Sequence, residues 1–579
     1  MSKPKTVISS AERRITSLYA KYDVWHNRIA RALVIIMLCI HPLYLNAQRY
    51  GDLTRHKFVF FCVCMSVILF AVLIVWGVRL FEKPMLIPRG KLTIIDYSVL
   101  GFAAVTILSS LLSPFDGMLF IGRSYEPVRF NVWLGMEERF DGAVTQLLFV
   151  AIYFIVSRWY KPSTKDFILF GISAGLVALI GILQFYGMDF LKLWPNHVPE
   201  YYRENYYDIF FRSTLGNINI VSTYVCVTIL FTGFLFIRTP EDSSILLTNE
   251  GLKPHETGIG LKAEWRYLWL AASALCFWMM DLANSDSGLV GVAAASFLAI
   301  PLVIENRKTL GRFLILISTW VYVFALQMYF YDVSIREIRT AAGMIPFFIV
   351  VVLLAAGGVV LIRWKSSASG TEKSESNAEH PVSNTAQPAR WKLGIIIIVS
   401  CIAAGLLAVE FLGRQEVAGG YGRFIYEARE IMHGNIRDEL GTNRIYIWRN
   451  ALAALPNDPV IGTGPDTFVF AFPQEAHGFY GENYDKAHNE YIQILICQGI
   501  LGLLCYMTFL GGVFVKGLKR AFRNPLAAAA LVAFTGYCVQ AIFNISLPIA
   551  SQMLWVLAGM LASTQRDKAA DSSPLSTNP

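Results

Sequence analysis

Apolar runs of roughly 17 to 25 residues recur along this chain, each long enough to carry a helix across the hydrocarbon core of a bilayer. No water reaches a backbone in that environment. A spanning segment must therefore bond its own N–H and C=O groups, as a helix does, or close into a barrel. The runs are continuously apolar rather than alternating, which selects helices. They predict about fourteen spans, at 30–46, 58–78, 94–112, 143–157, 166–186, 216–237, 267–283, 288–304, 313–330, 341–362, 393–412, 489–515, 525–543 and 548–563. The expected fold class is all-α, a polytopic membrane helical bundle. With 55% hydrophobic and 16% charged residues, a soluble domain of this length is excluded. The first apolar run leads into a polar loop without a small-residue cleavage site, so no cleavable signal is expected.

Basic residues orient the bundle, because they collect in cytoplasmic loops. With the N-terminus inside, the cytoplasmic segments hold 32 of the 50 lysines and arginines, and the other side holds 18. Seven of those 18 lie in one long loop, and long loops follow the rule poorly. Among the short loops, Lys516, Lys519, Arg520 and Arg523 fall inside, while the facing turn at 544–548 has no basic residue. Both termini are thus expected in the cytoplasm. The net charge of +8 then reflects topology rather than a nucleic-acid partner. All nine cysteines fall in predicted spans, away from an oxidising compartment, and their spacing matches no metal site.

This topology divides the chain into a tail (1–29), a first bundle segment (30–363), a disordered cytoplasmic linker (364–391), one further helix (392–412), a long extracytoplasmic loop (413–488), the last helices (489–563) and a second tail (564–579). The linker is rich in Ser, Glu, Asn, Ala and Pro, a composition that cannot bury a core. The extracytoplasmic segments mix aromatic with ionic residues. Segment 113–142 holds Arg123, Tyr125, Arg129, Trp133, Glu137, Glu138, Arg139 and Asp141, and 187–215 holds Trp194, several tyrosines and Arg212. Such a mixture suits a sugar-binding surface, and equally an aromatic belt at the bilayer interface.

Chemistry concentrates on that side. His488 stands at the mouth of a span, in Asp485-Lys486-Ala487-His488-Asn489-Glu490-Tyr491, and ionisable groups so placed are functional candidates. A helix N-terminus favours the neutral imidazole, which can take a proton from a sugar hydroxyl. An interfacial histidine without a role is the plain alternative. In the long loop, 442–452 reads as an amphipathic helix on the membrane surface, capped by Thr442 or Asn443, with Ile445, Trp448, Leu452 and Leu455 as its apolar stripe. Arg444 lies in its first turn, where the helix dipole disfavours a cation, and its planar fork suits phosphate oxygens. Pro459-Val460-Ile461-Gly462-Thr463-Gly464-Pro465-Asp466 is a tight turn, structural in preference to anion-binding. Arg212-Ser213-Thr214-Leu215-Gly216-Asn217-Ile218-Asn219 enters another span, and Asn217 and Asn219 should face the bundle. In the turn Asn284-Ser285-Asp286-Ser287-Gly288, Asp286 should pack against protein.

Three of these segments, at 212–219, 443–468 and 487–506, together with their order and the long loop before the histidine, resemble the O-antigen ligase / Wzy-type polymerase superfamily over roughly 95–565. The resemblance implies a GT-C-like bundle. It implies transfer of a polyprenyl-diphosphate-linked glycan to an acceptor hydroxyl on a glycan, lipid or protein, at the outer membrane face, without metal or cofactor. It places Arg212 and Arg444 on the diphosphate and His488 on the acceptor, with Asn217, Asn219, Trp448 and Asn489 in support. Two departures stand out. The family pattern Asn-Pro-Asn is Asn217-Ile218-Asn219 here, and Ser-Arg-Gly is Asp286-Ser287-Gly288, which removes a cation. A transporter of lipid-linked sugars is the competing class. It would place ionisable residues near mid-membrane, whereas here polar residues collect at one face. A membrane scaffold or sensor also remains open, as does the choice between ligase and polymerase.

Overall fold

The computed structural model describes residues 10–82, 92–119, 128–137, 139–194, 200, 211–239, 245–248, 251–254, 265–283, 285–330, 341–364, 387–415, 420–477 and 484–563. Most of the expected linker and the whole second tail lie outside these residues. The fold is helical. Helices of ten residues or more are, in chain order, α1 (Ser10–Ile35), α2 (Leu53–Glu82), α3 (Ile94–Leu112), α4 (Ala143–Trp159), α5 (Thr164–Phe185), α6 (Ile218–Arg238), α7 (Trp265–Ala283), α8 (Asp286–Leu298), α9 (Arg307–Phe330), α10 (Ala341–Arg363), α11 (Gln387–Leu412), α12 (Gly420–Met432), α13 (Arg444–Ala454), α14 (Glu490–Ala521), α15 (Pro525–Gln540) and α16 (Gln552–Ala562). Among the described residues, eight helical stretches are long and apolar enough to cross a membrane, and five shorter helices are also apolar. The protein is a multi-pass membrane protein.

Burial follows hydropathy pattern. Apolar all round, α6 has no polar face to show to water, and it is enclosed by α5, α7, α8, α9 and α15. The apolar window of α6 is 100% buried, whereas that of α10 is 6% buried, which leaves α10 as a lipid-facing helix packed on α9. The α9–α10 contact is close because Gly311 and Gly358 face each other's carbonyl oxygens, where a Cβ would come within 2.6 Å. Strands are short. The chain forms a three-stranded antiparallel sheet from β1 (Asp116–Leu119), β2 (Val128–Asn131) and β3 (Gly135–Met136), and the hairpins β4 (Phe211–Arg212) with β5 (Gly216–Asn217) and β6 (Ile245–Thr248) with β7 (Gly251–Pro254). All but β5, which falls at the start of the expected span 216–237, lie in segments expected to be loops.

One break in a helix positions the site. Within α14, Gly499 leaves helical geometry with φ 67 and ψ −173. The turn 459–464 fills the gap. Ile500 N–H donates to Pro459 O (2.8 Å), Leu501 N–H to Val460 O (3.1 Å) and Gly464 N–H to Cys497 O (2.7 Å). The two backbones touch. A Cβ at Gly499 would lie 2.3 Å from the Val460 backbone, and one at Gly462 (φ 69) would lie 2.4 Å from Cys497. The glycines of this turn therefore serve docking, as its structural reading required, with Gly464 N–H spent on a helix carbonyl rather than on an anion.

Candidate active site

His488 lies two residues before α14 begins, in a left-handed conformation with φ 48. The N-cap is Asn489, whose side chain accepts from Tyr491 N–H (3.0 Å) and Ile492 N–H (3.1 Å). The sequence places the histidine at the mouth of this helix and lets the helix N-terminus keep it neutral; the structure puts it just before the N-cap and adds burial and neighbouring cations as causes. Its pKa is pushed down to about 3, first by withdrawal from water and then by the positive charges of Arg444, Arg139 and Lys486. The imidazole is neutral throughout the physiological range. Trp448 steadies the loop, its Nε1–H donating to Ala487 O (2.9 Å) while its ring lies 6.2 Å from Phe543.

Arg444 is the first residue of α13. Its Nη1 donates to Gly441 O (2.8 Å), and its Nε is buried with no hydrogen-bond partner among the described residues. Withdrawal from water lowers its pKa, and the charges of Asp286 and Glu427 act in the opposite direction. Glu427 belongs to α12 and accepts from Gly441 N–H (3.1 Å), so it braces the turn that carries the arginine. Helix α13 differs from its expected form. Asn443 occupies the cap position with φ 64 and makes no side-chain cap bond. The buried face is Tyr446, Ile447 and Ala451, set against Phe468, Phe472, Tyr484 and Ile496, while Leu452 is exposed. The helix with exposed apolar residues on one side and ions on the other is α12, where Phe424, Ile431 and Met432 are exposed and Arg423 pairs with Glu427 (2.8 Å).

Arg212 sits in different surroundings, in the β4–β5 hairpin, with its guanidinium 5.5 Å from the centre of the Phe185 ring. Asn217 caps α6, accepting from Asn219 N–H (2.8 Å). Asn219 contributes its carbonyl rather than its amide, taking a bond from Asn544 Nδ2 (2.9 Å). That same amide reaches Thr223 Oγ1 (3.0 Å), Gln540 Oε1 (2.9 Å) and Ser287 Oγ (3.4 Å), tying α6, α8 and α15 together. Glu490 N–H donates to Ala541 O (2.9 Å), which joins the His488 loop to this hub. The fold thus brings His488, Arg444, Trp448 and Asp286 to one end of the bundle. Asn217, Asn219 and Asn489 act there through caps and backbone.

A second group of ions lies behind His488, in residues whose spacing gave no sign of a link. Lys486, 1% exposed, places its Nζ 3.8 Å from Asp141 Oδ2 and 3.7 Å from Asp466 Oδ1. Asp466 also accepts from Met136 N–H (2.8 Å), and Arg139 pairs with Asp485. The Asp141 carboxyl is pushed well above the usual carboxylate range, chiefly by burial, against the pull of Lys486. Among the described residues no group of three or more His, Cys, Asp or Glu is arranged to hold a metal ion.

Residues 271–507 match the family model described as O-antigen ligase. This stretch contains Asp286, Arg444, Asp466, Lys486 and His488; Arg212 falls outside it, and the match is narrower than the expected 95–565. The chain is also 24% identical over 200 residues to the exopolysaccharide production protein ExoQ of Rhizobium meliloti (strain 1021). That alignment covers 32% of this chain and 42% of the relative, so the chain spans less than half of the relative's length.

Proposed function

We propose, from a multi-pass membrane chain whose residues 271–507 match the O-antigen ligase family, that this protein is a membrane glycosyltransferase of polysaccharide synthesis. It moves a glycan from a polyprenyl diphosphate to an acceptor hydroxyl at the outer face of the plasma membrane. The observation that carries this reading is the pairing of Arg444 with His488. One is a half-buried guanidinium whose Nε–H is buried and unbonded, the other a neutral imidazole that feels its charge.

The chemistry follows from those two states. Diphosphate is a good leaving group that needs its developing charge stabilised rather than protonated, and Arg444 supplies positive charge where water is scarce. A neutral imidazole attracts no diphosphate but accepts a hydroxyl proton. As the acceptor oxygen bonds to the anomeric carbon, the carbon–oxygen bond to the diphosphate breaks, and its electron pair leaves on phosphate. His488 takes the proton. Arg212 holds a more distant part of the donor. The exposed apolar side of α12 lies in the membrane interface and leads the lipid tail toward Arg444.

The relative's name favours a second reading of the acceptor. It speaks of exopolysaccharide production, which fits a growing glycan as acceptor and a polymerase as product-former. Deleting the gene and analysing surface polysaccharide separates the readings. Loss of attachment with chain length kept means a ligase, and collapse to single repeat units means a polymerase. Unchanged polysaccharide in both respects overturns the proposal.

A further inference from the structure

The first turns of α14, just past His488, border a small cavity of ≈ 30 Å³. A polar cavity can hold water once roughly 10–15 Å³ is open to it, so this space admits water. Asp141, Asp466, Glu490 and Gln498 line it. Asp141 is 4% exposed, Asp466 3% and Gln498 0%. Their Asp141 Oδ1, Asp466 Oδ1 and Gln498 Oε1 atoms are buried without a hydrogen-bond partner among the described residues. All three are acceptors. The amide of Gln498 donates to Thr106 Oγ1 (2.8 Å) and to Gln146, which leaves its oxygen facing inward.

The charges are as unbalanced as the hydrogen bonds. Three carboxylates, Asp141, Asp466 and Glu490, share one ammonium, Lys486, whose Nζ stands beyond hydrogen-bond range of the two aspartates. Arg139 is paired with Asp485, and the Glu490 oxygens accept from Tyr506 and Tyr537 hydroxyls. Buried acceptors without donors are costly, and so are buried like charges. One proton relieves both, because it turns a carboxylate into a donor and cancels a charge.

We propose that this cavity is a proton-holding site, in which water and one proton shared with Asp141 complete the cluster, and that during transfer it takes the acceptor's proton from His488 while releasing the proton it held to bulk water. The second clause rests on the role given above to His488. An imidazolium at that position would face Arg444, Arg139 and Lys486, so the histidine passes the proton on rather than keeping it. The groups facing Asp141 are Lys486, Asp466, Glu490 and Arg139, with Cys497 alongside from α14. The step balances. The acceptor O–H bond breaks, its oxygen bonds to the sugar, the diphosphate leaves with its electron pair, and the proton moves through His488 into the cluster as the proton held there leaves to bulk water, so the cluster holds one proton before and after each turnover.

Infrared difference spectroscopy on the full-length protein in nanodiscs reads the site without activity. A buried protonated carboxyl gives a C=O stretch, expected in the wild type at neutral pH and lost in Asp141→Asn. Asp466→Asn keeps an acceptor for Met136 N–H and should shift that band instead of removing it. Absence of the band in the wild type overturns the proposal, whatever the variants do. So does a gain in thermal stability with sodium over choline, which means that a metal cation fills the cavity. In transfer assays, wild-type turnover should be flat near neutrality, and Asp141→Asn should climb with pH because its proton must then leave to hydroxide. A variant profile parallel to the wild type overturns the relay and leaves the glycosyltransferase reading standing.

Discussion

At His488, charge and position divide the work between two residues. His488→Ala should lower turnover by about 10²–10⁴-fold with donor affinity largely kept, as loss of a general base does; donor binding measured beside transfer rate decides it. Arg444→Ala should weaken both, and Arg444→Lys should also impair, because lysine has no planar fork. The pH dependence tests their coupling. Arg444 is one of the charges holding the imidazole down at about 3, so wild-type turnover should show no titration limb near 6.5. Arg444→Gln should move the acid limb upward and Arg444→Lys should not, which residual-activity profiles will show. For stability the sign is the same. The folded histidine binds fewer protons than the unfolded one between about 6.5 and 3, so acidification through that window opposes folding. His488 and Arg444 stood out in the sequence because each is an ionisable residue where the local pattern disfavours one. Lys486, Asp141 and Asp466 did not, since a partnership across hundreds of residues leaves no local spacing.

Among the elements, a run of apolar residues announces a helix but not what interrupts it. Span 489–515 reads as one unbroken segment, and nothing in its hydropathy tells that Gly499 opens it for the backbone of 459–464. The matching glycines were visible on both sides, yet their contact is a tertiary fact. Gly499→Ala should destabilise the protein by more than the roughly 1–3 kcal/mol that this glycine-only backbone region alone costs an L-residue, because its Cβ would also meet the Val460 carbonyl. Unfolding midpoints in detergent should fall accordingly, and a midpoint within error of wild type would show that the turn yields freely. Helix α13 teaches the converse. Trp448 and Leu455 of the predicted stripe pack against the cluster that holds Phe468, Phe472 and Tyr484, yet the residues buried deepest there are Tyr446, Ile447 and Ala451, and Leu452 is exposed.

Across the whole molecule, the all-α membrane class was plain from the first apolar runs, since lipid leaves few other solutions. Orientation rests on charge counts, and it predicts that Gly478→Cys reacts with an impermeant thiol reagent in intact cells while Ser376→Cys does not; both positions lie outside the described residues. Labelling at Ser376→Cys would invert the membrane and with it the outer-face site. Ion pairs at the far end of the bundle, Arg31 with Asp166 (2.6 Å) and Arg158 with Asp96 (2.7 Å), hold the helices there, so the two ends differ in purpose as well as in composition. The break in α14 also sets a calendar for assembly. The ribosome makes residues 459–464 before Gly499, so the patch waits for the tear it will mend. Until they meet, a hydrophobic helix carries bare carbonyls, and maturation of the nascent chain hinges on a loop finding its way back from outside the bilayer.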